Sequence, residues 1–238
     1  MFGRSLRWIA PVAALTWIVG ACREGGREPD TISERMTGHF DQVTLIRHAV
    51  IDGDLGRVHE ASRTFADQRM PRGLSSELRA YLRDMRRVTR DLANASDLGA
   101  AAAGVGRLAR ACGSCHEASN AWPGFPIDAA ELDDAALPSA LETVPHMHRH
   151  GWAVARLWEG LIGPSDRRWS WGAKSLETAA LRGENLTRDE TTVNLSRLAV
   201  RVHEIGMESS HTADPDRRAE LFAELLATCS ACHSAIPR

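Results

Sequence analysis

At 238 residues, with 43% hydrophobic and 25% charged residues, the chain has the make-up of a globular protein of one large or two ordinary domains. Its 29 basic and 31 acidic residues leave a formal charge of −2, so no nucleic acid is expected as a partner. The sequence also holds no Gly-rich phosphate loop, no hydrolase triad motif and no His-Glu-x-x-His.

The N-terminus has the anatomy of an export signal: basic Arg4 and Arg7, then an apolar run from Trp8 to Val19 that is short for a membrane span. Val19-Gly20-Ala21-Cys22 follows and resembles a bacterial lipobox. That resemblance implies a signal peptide over residues 1–21, cleavage before Cys22, and a lipid on that cysteine at the periplasmic side of a bacterial membrane. An uncleaved anchor or ordinary signal-peptidase cleavage is the alternative. Residues 22–30, polar with two glycines and a proline, read as a flexible tether.

The next stretch carries helical spacing throughout. Thr31-Ile32-Ser33-Glu34 has the form of a capping box opening a helix that ends near Asp52-Gly53. A second helix is expected over Asp54–Gln68, before Pro71, and a third from Ser75 or Ser76, burying Leu78, Leu82, Met85, Val88 and Leu92. The fourth, Leu98–Glu117, sets Ala101, Val105, Leu108 and Cys112 on one stripe and ends in Cys112-Gly113-Ser114-Cys115-His116. Residues 122–139, rich in proline, alanine and acid, read as a linker. The plan then returns. Pro145 suits the first position of a helix running to Gly163-Pro164, and Ser165 caps one ending near Gly183. Leu195, Leu198, Val202 and Ile205 mark the third, and Asp214-Pro215 starts the fourth, which ends in Cys229-Ser230-Ala231-Cys232-His233. No stretch alternates with period two, so the expectation is all-α.

Cys-x-x-Cys-His is the attachment sequence of c-type haem: two thiols add to the porphyrin vinyl groups, and the following histidine reaches the iron. Two copies therefore point to two covalently attached haem c, on Cys112 and Cys115 and on Cys229 and Cys232, with His116 and His233 as proximal ligands. A zinc site would need the two cysteine pairs to converge, and plain disulfides would give no reason for a histidine after each pair. The fifth cysteine is Cys22. The first helices align at an offset of 111 residues (Met36 on Met147, His39 on His150, Arg57 on Arg168) and the motifs at 117, which reads as an internal duplication.

Four amphipathic helices per half, each set closed by its haem motif, suggest two tandem four-helix bundles over residues 31–121 and 140–238. This order, with Met36-x-x-His39-Phe40 echoed by Met147-x-x-His150, resembles cytochrome c′ and its low-spin relatives. The resemblance implies a sixth iron ligand from the first helix of each bundle. The position that carries methionine in the low-spin relatives falls on Ser33 and Val144, which are poor ligands. Three arrangements stay open: Met36 and Met147 on iron, His39 and His150 on iron, or five-coordinate iron. The remaining histidines, His48, His59, His146, His148, His203 and His211, have no aligned partner and read as surface or satisfied helix residues. Trp152, Trp158, Trp169 and Trp171 read as core of the second half, and the arginines of residues 79–90 as a solvated face. The function expected is electron transfer between redox partner proteins by a membrane-anchored carrier, not an enzyme. A gas-binding or sensing protein is the alternative, and a di-haem peroxidase a weaker one.

Overall fold

The computed structural model describes residues 32–68, 74–125, 143–177 and 191–235. The export signal, the tether, most of the linker and Gly183 lie outside these residues. The described residues form eight helices and no strand. In the first half these are α1 (Ile32–Ile51), α2 (Leu55–Ala66), α3 (Ser76–Leu92) and α4 (Leu98–Ser119). The second half has α5 (Thr143–Ile162), α6 (Asp166–Leu176), α7 (Thr191–Ser210) and α8 (Pro215–Ala235).

The boundaries are set by local chemistry. Side-chain oxygens of Asp54, Ser75, Asp97 and Ser165 accept from the backbone N–H three residues on, closing the free N-terminal turns of α2, α3, α4 and α6. Asp214 does the same for Asp216 and Arg217 at the start of α8. Gly53, with φ of +72°, makes the reversal between α1 and α2, a backbone conformation that glycine adopts without strain. Asn120, at φ +50°, closes α4 in the left-handed region.

Two expectations are corrected. α5 begins two residues before Pro145, which therefore occupies its third position. The first turn tolerates this because its N–H groups have no intrahelical acceptor. α6 stops at Leu176 rather than near Gly183: the Glu177 N–H turns back onto the carbonyls of Ala173 and Lys174, and its carboxylate takes the Ser210 hydroxyl.

Within each half, successive helices pack as neighbours, consistent with two bundles. The halves are nonetheless interlocked. α4 lies along α8 as closely as it lies along α3, α1 leans more on α8 than on α4, and α5 more on α4 than on α8. One continuous buried cluster runs through both halves, with Ile46, Val105, Leu108, Trp158, Phe222 and Leu225 at 0% exposure. The α4–α8 crossing depends on small residues: a Cβ added at Gly106 would stand 2.5 Å from the Ala219 carbonyl oxygen and 3.1 Å from Ala223 Cβ. Backbone cannot give way as a flexible side chain can. Gly106→Val is expected to destabilise the protein by about 2–3 kcal/mol or more, seen as a lower urea midpoint with helical circular dichroism retained.

Candidate functional site

The two motifs sit in the last turns of α4 and α8. Their spacing of three and four residues sets the first cysteine of each beside its second cysteine and its histidine on one helical face. All four thiols are free. Burial, reinforced by the second cysteine of each pair, pushes the thiols of Cys112 and Cys229 up to about 12. Burial also raises Cys115 and Cys232. Burial thus favours the neutral thiol over the thiolate at all four. Among the described residues no cysteine joins two further metal-ligating side chains, so the pairs do not converge into a zinc site.

Each motif histidine is held by the opposite half. His116 donates Nδ1–H to the carbonyl of Ile162 at 2.6 Å, and His233 donates Nδ1–H to the carbonyl of Ile51 at 2.9 Å. Ile162 and Ile51 end α5 and α1, where the last carbonyls have no intrahelical donor. They are equivalent residues, 111 apart. Since a carbonyl only accepts, each bond places the ring proton on Nδ1 and leaves Nε2 as the free lone pair. Gly113 makes room for one of these dockings: a Cβ there would collide with the Leu161 carbonyl oxygen. Gly53 does so for the other, where a Cβ would meet Ser234 Oγ at 2.7 Å.

The first helices present their repeated residues unequally. Met36 and Met147 are half-buried on α1 and α5. His39 stands edge-on to Phe65, ring centroids 5.0 Å apart, and its Nδ1 is buried without a hydrogen-bond partner. Burial first, then the charges of Arg35 and Arg86, lower its pKa. His150 is lowered further, to about 3, by burial and then by His146, His203, Arg149 and His233. The second motif histidine thus lies within the electrostatic reach of His150.

His146 and His203 are the residues that sequence reasoning undervalued. Read as surface or satisfied helix residues, they are 0% and 7% exposed and close on His150, with ring centroids 4.3 to 5.5 Å apart. The available signal was the His146-x-x-x-His150 spacing, which puts two imidazoles on one helix face. The other four fit the expectation: His48, His148 and His211 are exposed, and a ring nitrogen of His59 meets the Ala95 carbonyl at 2.9 Å.

Of the four tryptophans, Trp158 and Trp169 are core. Trp158 stacks on Phe222, and Trp169 donates Nε1–H to the Ser209 carbonyl. Trp152 and Trp171 are half-buried beneath the guanidinium groups of Arg156 and Arg167. The arginines of α3 are mostly solvated, with Arg87 paired to Asp84; Arg86 is the exception, half-buried and donating to the Gln68 carbonyl. Near the junction of the halves, Glu159 pairs with Arg156 at 2.8 Å and with Arg168, all three less than 9% exposed. Arg168 also donates to the Phe125 carbonyl, and the Phe125 ring packs on Phe40 of α1.

Compared with known proteins, the chain matches no family model, no curated sequence and no solved structure. No helix among the described residues is long and apolar enough to cross a membrane.

Proposed function

We propose that the chain is a di-haem c-type cytochrome that passes single electrons between redox partner proteins at the periplasmic side of a bacterial membrane, where lipid on Cys22 holds it. The observation that carries this reading is the doubled motif in a doubled setting: two Cys-x-x-Cys-His runs on equivalent helices, each with its histidine anchored through Nδ1 to an equivalent carbonyl. That anchorage is the outer support that an iron-ligating imidazole needs, because it fixes ring orientation and tautomer and raises the basicity of Nε2. The residues present fit the group: neutral thiols on one helical face for two thioethers, and a free Nε2 beside them.

Covalent haem would supply a reversible one-electron couple. The chain's own part is to hold each proximal imidazole, keep the cysteines at the margin of an apolar core, and choose what faces the other side. Met36 and Met147 remain the proposed sixth ligands by repetition, with His39 and His150 as the alternative.

The test is a pyridine haemochrome assay with film voltammetry on the exported chain, produced with a c-type haem maturation system. Two haems per chain and a reversible reduction wave are expected. A chain that matures without haem would overturn the reading. A large Soret shift of the ferrous protein under carbon monoxide would move it to the gas-binding alternative with open iron.

A further inference from the structure

We propose that His146, His150 and His203 form a binding site for a divalent first-row transition ion, zinc foremost, distinct from both Cys-x-x-Cys-His motifs. One ring nitrogen from each of the three lies within 4.8 Å of the others. Two come from adjacent turns of α5 and the third from α7, so the site is built on rigid elements rather than on a loop. His203 donates Nδ1–H to the carbonyl of Leu176 at the end of α6, which leaves its Nε2 without a hydrogen-bond partner. His150 Nε2 is buried and equally without one. Burying such nitrogens unbonded is costly, and a metal ion is the partner that three convergent imidazoles suit. Tetrahedral nitrogen ligands about 2.0–2.1 Å from zinc stand about 3.3 Å apart. Closing from the present spacing takes small rotations of the side chains. Three histidines leave a fourth position for water or another small donor.

Electrostatics agree with this geometry. His150 and His203 are both held below the ordinary imidazole range, chiefly by burial. Arg149 places a positive charge nearby, which works against cation binding.

The first half supplies an internal comparison. Offsets of 111 on the first helix and 117 on the third set Arg35, His39 and Arg86 at the places of His146, His150 and His203. The charges of Arg35 and Arg86 reach His39 there. One imidazole between two guanidinium groups cannot hold a cation, so a single site per chain is expected.

The untagged, haem-loaded chain, cleared of adventitious metal with a chelator, would be titrated with zinc chloride by calorimetry. Bound zinc would be counted by atomic absorption after dialysis. One equivalent is expected to bind. His150→Ala and His203→Ala should each weaken that binding by more than about 100-fold, while His148→Ala, on the exposed face of α5, leaves it intact. Zinc should also raise the melting temperature of the parent protein and not of the variants, by the linkage of binding to stability. Circular dichroism and haem content establish that the variants are folded, and His203→Gln serves if the alanine variant is not. The proposal is overturned if the parent binds no zinc, or if binding survives loss of any of the three histidines. It is equally overturned if the parent binds no zinc and His150→Ala changes the haem spectrum, which would assign His150 to iron. A chain that lacked haem yet bound one zinc through these histidines would uphold the site and overturn only the cytochrome reading.

Discussion

Replacing Cys229 and Cys232 together by serine is expected to leave a chain that carries one covalent haem instead of two. Replacing Cys112 and Cys115 should have the mirrored effect, and replacing all four should leave none. The reason is chemical: serine forms no thioether, and an imidazole alone does not hold haem through denaturation. Each single replacement keeps one possible thioether and should weaken retention rather than abolish it. Haem stain on a denaturing gel, read beside the haemochrome stoichiometry of the native protein, measures the effect directly. Unchanged stain in either double variant would refute attachment at that motif. Both motifs lie in the last turns of helices whose cores are built further up by Leu108, Leu221, Phe222 and Leu225, so the variants should still fold, with some loss of stability where the buried Cys112 is replaced.

The second large effect is expected at Glu159, which has no part in attachment. Its carboxylate pairs with both Arg156 and Arg168 away from solvent, and its charge also reaches the buried Arg47. Burial already holds the Arg47 guanidinium down to about 10, against the raising influence of Glu159. Glu159→Ala would take the carboxylate from beside guanidinium groups held in a poorly solvated place, at a cost of about 3–5 kcal/mol. Glu159→Gln, which keeps the shape but not the charge, should lose most of the same stability. Urea denaturation midpoints would show it. Asp84→Ala serves as the contrast: its partner Arg87 is exposed, and loss of that pair should leave the urea midpoint almost unmoved.

The legible parts of the fold were those governed by local rules. Helical spacing with Asp or Ser at the start placed the openings of α2, α3, α4 and α8 within two residues of where they stand, and Pro71 and the first motif did as much for the ends of α2 and α4. The placing of each motif on one face of a last helix was legible because its spacing of three and four residues matches the helical turn. Two kinds of feature were not. The end of α6 at Leu176 depends on a tertiary contact, the Ser210 hydroxyl on Glu177, which no local pattern announces. The burial of His146 and His203 depends on α5 and α7 approaching across a bundle, and a lone histidine on a helix carries no mark of what it will face. Arg47 and Arg168 are similar. Nothing in their own neighbourhoods says that Glu159 will stand near them: for Arg168 that depends on α6 packing against α5, and for Arg47 on how the two halves dock.

The docking itself says something about where such a chain can come from. Equivalent residues meet one another across it: the α1 end takes the α8 histidine just as the α5 end takes the α4 histidine, and Gly106 lies against Ala223, its own counterpart at an offset of 117. Reciprocity of that kind is the signature of an isologous interface between two identical subunits. If the repeat is a duplication, as the aligned helices suggest, the arrangement is what a homodimer would give once its protomers were joined in one polypeptide. Joining them releases a constraint that symmetry imposes. In a homodimer a residue beside the axis must face its own copy, so an arginine there would confront an arginine. Here Arg47 lies over the ring of Trp158, its counterpart at an offset of 111, with the guanidinium carbon 5.4 Å from the ring centroid. Such an unlike pair is open to a joined chain and closed to a symmetric dimer.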